Sequence, residues 1–175
     1  ISRHHRRNDK GVFIIMTKAI IVPFHKYTPF SGEFYEPILD SFIQQMEKYK
    51  REYHKIYFID SNWNIDENKL GNLNAEIILV DPNLRYYDAY KNVLPQIKED
   101  LVLFLDNDLV IYRGGHIRST FSILESGNKD VVSIYDTIGD FKTEKLAGKN
   151  KFCPYWFATG TAALKDFLEI DWGPD

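Results

Sequence analysis

The sequence predicts an α/β domain with a mostly parallel central sheet and helices on both faces. Three observations predict it. Short, continuously apolar runs (AIIV, IYFI, LVLFL) read as strands covered on both sides. Between them lie longer stretches whose apolar residues recur at helical spacing. Asp, Asn and Pro close most of the runs, as turn-formers do. Strands that alternate with helices favour parallel pairing, since a parallel neighbour must be reached by a crossover. At 175 residues, 44% hydrophobic and 27% charged, the composition suits one globular domain with its own core.

The first segment differs from the rest. Residues 1–10 carry Arg3, Arg6, Arg7 and Lys10 against Asp9, a local +3, and taking that from the total of −3 leaves −6 for the remainder. An acidic body argues against coating nucleic acid, which needs a positive surplus. The expected organisation is a basic, unstructured arm over 1–15, foreign to the domain, with Met16 as the natural start and one domain over 16–175. His4 and His5 belong to that solvated arm. GVFIIMTKAIIVPF imitates a signal peptide, but Lys18 interrupts it and no small-x-small cleavage site follows. The run is also too short to span a bilayer, so no integral membrane segment is expected. The lone Cys153 fits a reducing compartment. A cytoplasmic location follows, with peripheral membrane contact available to the basic arm.

The elements follow in order. Lys18–Val22 reads as a strand stopped by Pro23. Residues 33–53 place Phe34, Ile38, Leu39, Phe42, Ile43, Met46 and Tyr49 on one helical face, with Pro37 tolerated in the first turn. Ile56–Ile59 is a second strand ended by Asp60, and Ser61–Asn74 is a loop with one helical turn. Ile77–Val80 is a third strand, closed by Asp81 and Pro82. Tyr86–Ile97 is a helix that Pro95 ends or bends. Leu101–Leu105 is the most deeply buried strand. A helix over 117–125, a strand over 131–135, a polar loop over 136–151, a strand over 155–158 and a helix over 164–168 complete the chain.

In a parallel sheet, ligands bind outside the carboxyl ends of the strands. Here those ends are Pro23–Lys26, Asp60–Asn62, Asp81–Asn83 and Asp106–Asp108. Asp106-Asn107-Asp108 is the strongest chemical signal. Two carboxylates one residue apart, just after an apolar strand, can share a hard divalent cation such as Mg²⁺ or Mn²⁺, whose shell substrate phosphates commonly complete. The alternative for the same residues is a solvated Asp/Asn turn. No P-loop, no Gly-x-Gly-x-x-Gly and no Gly-x-Ser-x-Gly occurs, which removes the usual signatures of ATPases, dinucleotide binders and serine hydrolases.

With these residues in place, the order of segments resembles the GT-A (Rossmann-like) nucleotide-sugar glycosyltransferases, in particular the inverting family-two enzymes. AIIVPFHK is similar to their opening strand, IYFIDSNWN to their second strand, DAYKNVLPQIKEDLVLFLDND to the helix and strand ending in Asp-x-Asp, and WFATGTAALKDFL to the segment that approaches the acceptor. The resemblance covers roughly residues 18–168. It implies a metal-dependent, hexosyltransferase-like enzyme that moves a sugar from a UDP- or GDP-linked donor to a saccharide or lipid-linked acceptor, with no nucleic-acid partner. It further implies Mn²⁺ or Mg²⁺ on Asp106 and Asp108, and nucleotide contacts from Pro23, Phe24, His25, Asp60, Arg85, Lys91, Asp106 and Asn107. Asp60 would accept from the base imide, or else cap its own turn. Trp156, Gly160 and Thr161 would face the sugars. The acceptor hydroxyl needs a general base, for which Asp171 and Asp175, near Glu169, are the late candidates. The sequence ends at Asp175 before the acidic motif that normally supplies the base, so a C-terminally truncated catalytic domain is expected. His116 is either a third metal ligand or the start of a helix.

Two other readings compete. VLFLDNDLV also fits the first motif of haloacid-dehalogenase-type phosphatases, with Asp106 as nucleophile, Asp108 as acid/base and Val110 at a motif position. That motif normally opens its domain, whereas here a full α/β stretch precedes it. The third reading is a non-catalytic nucleotide-sugar binding module.

Overall fold

A computed structural model describes residues 6–7, 13–25, 35–84, 86–111, 115–127, 129, 131–133 and 156–168. Two short strands, β1 (Arg6–Arg7) and β2 (Phe13–Ile14), pair antiparallel with Arg6 opposite Ile14 and Arg7 opposite Phe13. The arm therefore carries local pairing where an unstructured segment was expected.

The main sheet is built from β3 (Lys18–His25), β4 (Lys55–Ser61), β5 (Ala75–Leu79), β6 (Leu101–Leu105), β7 (Val131–Ser133) and β8 (Trp156–Gly160). Its order is β5-β4-β3-β6-β8-β7. The first four run parallel, and β8 is antiparallel to both of its neighbours. The helices are α1 (Tyr35–Tyr49), α2 (Tyr86–Val93), α3 (His116–Glu125) and α4 (Thr161–Leu168), with single 3₁₀ turns at Glu67–Leu70 and Leu94–Gln96.

Alternation along each strand splits the core into two layers. Ile20, Val22 and Phe24 of β3, Ile56 and Phe58 of β4, and Leu101, Leu103 and Leu105 of β6 face α1 and α3. The intervening Ala19, Ile21, Tyr57, Ile59, Val102 and Phe104 face α2, the turn after it and α4. Both faces are covered, which is why these strands read as unbroken apolar runs. On α1, Leu39, Phe42, Ile43, Met46 and Tyr49 form the buried stripe that the sequence predicts. Pro95 ends α2 as expected, because it cannot donate to the preceding turn.

One boundary differs instructively. Pro23 does not stop β3; it pairs with Ile59, and the strand continues to His25 opposite Ser61. The ladder to β6 ends at Ile21–Phe104, so Pro23 sits where β3 is paired on one side only. Such an edge-like position tolerates a missing donor. Between β3 and β6 the order of the sheet reverses direction, and ligand crevices form at such switch points.

Candidate functional site

The carboxyl rim brings together the ends of β3, β4, β5 and β6. Continuing the β3–β6 register two residues past Ile21–Phe104 places Pro23 level with Asp106. After β6 the chain turns: Leu109 N–H donates to Asp106 O at 3.4 Å, with Asn107 and Asp108 at the tip. Asp106 is half-buried and accepts the Asn107 N–H at 2.9 Å, while Asp108 is exposed. Burial, and then the charge of Asp108, push the Asp106 carboxyl above the ordinary carboxylate range; the Asn107 amide opposes this in part. The Asp108 charge thus weighs against an ionised Asp106, which a shared cation would relieve. The donor set is all oxygen, as Mg²⁺ or Mn²⁺ prefers. Among the described residues no group of three potential metal ligands forms, so His116 does not complete a cage. It opens α3, the second of the two readings the sequence left open. Such cations commonly take only one or two carboxylates and leave positions for water and phosphate. The residues fit the ion.

One strand over from this turn lies a half-open hollow lined by Pro23, Phe24, Ile59, Ser61, Val80, Leu84, Ala89 and Tyr90. Its walls are strand tips on one side and the start of α2 on the other. It is apolar, with Ser61 as a polar handle. Tyr90 is steadied edge-on by Phe104 at 5.2 Å. Phe24 borders the pocket, but its ring packs on the opposite face against Phe42, Phe58 and Trp63. The Phe24 ring is therefore a core side chain, 0% exposed.

Asp60 is 2% exposed. Its two oxygens accept the backbone N–H groups of Trp63 at 2.6 Å and Ile65 at 2.7 Å. Asn62 and Asn64 take positive φ of 72° and 56°, which wraps the loop around the carboxylate. Turn-capping is what Asp60 does in this structure, and it thereby fixes the loop beside Ser61. Asp81 likewise caps its own turn through the Asn83 backbone and side-chain amides at 2.8 and 2.9 Å. Asp60 has both oxygens engaged in this way, whereas Asp106 and Asp108 stand together at one turn.

The β8 segment requires a correction. Trp156 is opposite Leu105, but its ring is 5% exposed and its Nε1–H donates to Thr120 Oγ1 at 3.2 Å. It belongs to the core layer under α3, so it is not positioned to stack on a sugar. Gly160 pairs with Leu101 at the opposite end of β6. That end is roughly 16 Å from Asp106, at about 3.3 Å per residue. Thr161 is bound there as well, its N–H to Asp100 O at 2.9 Å and its hydroxyl to Glu99 O at 2.6 Å. The antiparallel direction of β8 carries both residues away from the site. Lys91 is exposed on α2 and does not line the pocket. His25 ends β3 at the rim. Arg85, Asp171 and Asp175 lie outside the described residues.

Sequence reasoning missed Ser61, Val80, Leu84 and Tyr90. Only Ser61 carried a signal, as the small residue between Asp60 and an asparagine.

With this geometry established, comparison with known proteins becomes informative. No protein-family model and no curated protein matches the chain. Solved structures do. The chain is similar to glucosyl-3-phosphoglycerate synthase from Mycobacterium tuberculosis in complex with Mn²⁺, uridine diphosphate and phosphoglyceric acid: TM-score 0.63, 15% identity, 85% of this chain and 57% of that one. The complex of that enzyme with Mn²⁺, UDP-glucose and phosphoglyceric acid gives TM-score 0.60, 16% identity, 85% and 58%. The fold is GT-A. At such identity the likeness carries the fold alone, and the chain spans a little over half the length of those proteins. Among the described residues, no helix is long and apolar enough to cross a membrane.

Proposed function

We propose that this GT-A domain is part of a glycosyltransferase that uses a nucleoside-diphosphate sugar with divalent-metal assistance. The observation that carries the proposal is the placement of the Asp106–Asp108 turn at the sheet's switch point, one strand from a flat apolar pocket. The pocket receives the nucleobase against Pro23, Ile59 and Tyr90, with Ser61 as hydrogen-bonding partner. The diphosphate extends toward Asp106 and Asp108. Those carboxylates would hold Mn²⁺ or Mg²⁺, which as a Lewis acid neutralises the charge that builds on the departing diphosphate. Solved neighbours bound to Mn²⁺ with UDP or UDP-glucose support UDP as the first nucleotide to test. Inverting transfer of a hexose to a saccharide or lipid-linked hydroxyl, with Asp171 or Asp175 as base, completes the reading.

The test is thermal-shift titration with UDP, GDP and CDP, each with and without Mn²⁺. Selective binding to the folded state raises the midpoint by about 2.7 kcal/mol of stabilisation at a hundredfold excess over Kd. One nucleotide should stabilise only with Mn²⁺, and Asp108→Ala should abolish that effect without lowering the metal-free midpoint, since Asp108 is exposed and its charge opposes that of Asp106. Stabilisation that persists in Asp108→Ala would count decisively against the assignment. Donor hydrolysis or sugar transfer then separates an enzyme from a binding module. Phosphate release from simple esters, lost in Asp106→Asn, would favour the phosphatase instead.

A further inference from the structure

The place of Asp108 is set partly from another element. We propose that Gln45 of α1 is a positioning residue for the Asp106–Asp108 turn, deepening the metal-dependent transferase reading and resting on it. The Gln45 side-chain amide grips the backbone just beyond the turn at two points. Its Nε2 donates to Leu109 O at 3.1 Å, and its Oε1 accepts the Ile111 N–H at 2.6 Å. One helical turn along the same face, the Tyr49 hydroxyl donates to Ile111 O at 3.3 Å. Leu109 and Ile111 also pack partly against the core layer beneath α1.

The turn is therefore pinned at both ends. β6 holds Asp106 from one side, and Gln45 holds residues 109–111 from the other. Residues 106–111 belong to no helix or strand, so without the clasp they have no ladder to order them. A carboxylate on a loose segment must be ordered when it binds a cation, at a cost in conformational entropy. Gln45 removes that cost beforehand. Outer partners that hydrogen-bond a ligand directly typically contribute about 10–100-fold to metal affinity, which sets the scale for a clasp that acts through the adjacent backbone.

The test uses Mn²⁺ alone on the full chain, with free Mn²⁺ counted by electron paramagnetic resonance and the thermal midpoint recorded in EDTA. Gln45→Met preserves length and apolar volume but makes neither bond. It should bind Mn²⁺ about 10–100-fold more weakly. Thr17→Val is the control: it removes the hydroxyl that donates to Asp100 Oδ2 at 2.9 Å and accepts the Asp100 N–H at 3.1 Å, at the opposite rim. It should lower the midpoint and leave Mn²⁺ affinity unchanged. Wild-type affinity in folded Gln45→Met, or an equal loss in Thr17→Val, overturns the positioning role. Should Gln45→Met not fold, Gln45→Ala, uncharged and helix-favouring but equally without either bond, takes its place, and undiminished affinity again overturns the role. Should the wild-type chain bind Mn²⁺ only with UDP, GDP or CDP present, the same comparison is made with that nucleotide; a wild-type chain that binds Mn²⁺ in neither case brings down the transferase reading as well, which separates the two failures.

Discussion

Asp60 and Asp106 are two carboxyls on one rim with opposite electrostatic situations. Asp60 is buried and answers its desolvation with two short backbone hydrogen bonds. Asp60→Asn leaves only one accepting oxygen, so one amide loses its partner. A loss of about 1–3 kcal/mol is expected, measured by urea unfolding. Asp106 has one backbone partner and a like charge nearby, and its carboxyl is raised. A folded-state value above the unfolded one contributes stability at low pH that is lost as pH rises through the folded value. At neutral pH the ionised group therefore costs stability. Asp106→Asn should raise the midpoint in EDTA near pH 7, and the gain should vanish below the ordinary carboxylate range; a flat difference across pH would contradict the sign. The sequence showed that both residues were acids at strand ends. It left open which carboxylate the backbone had already taken, because that depends on the loop conformation imposed by Asn62 and Asn64.

At the scale of elements, helices were legible because each turn repeats its apolar signal, as along Leu39, Phe42, Ile43 and Met46. Helix ends depend on single residues. Gly115 precedes α3 with φ 90° and ψ −8°, in the left-handed region. Among the described residues, chain neighbours apart, no heavy atom lies within 4 Å of where a Cβ would stand, so backbone strain is what opposes substitution there. Gly115→Ala should cost about 1–2 kcal/mol, and Gly115→Asn less, by thermal denaturation. Strand β3 passing through Pro23 and the reversed direction of β8 were not legible. Both depend on which neighbour lies alongside, and a strand carries no mark of its partner's direction.

Across the whole molecule, β6 is the keystone. It separates the parallel half of the sheet from the antiparallel half, feeds both core layers and ends in the Asp-x-Asp turn. Leu103 at its centre is fully buried. Leu103→Ala should cost about 2–5 kcal/mol, a fall in Tm of roughly 5–20 °C for a chain of this size. Because β6 continues directly into the turn, that variant should also weaken whatever Mn²⁺ binding the proposed site has, which a calorimetric titration would read.

The order of residues alone determined the layered α/β class, the buried strands and the carboxylate pair, because apolar periodicity and local turn chemistry are properties of neighbours in the chain. Tertiary structure decided the rest. It took Asp60 into a loop, moved Gly160 and Thr161 to the far rim, formed the pocket around Ser61 and Tyr90, and tied Gln45 to Leu109 and Ile111. Each of these outcomes joins groups far apart in sequence, and only the pairing order and direction of the strands fix which of them meet.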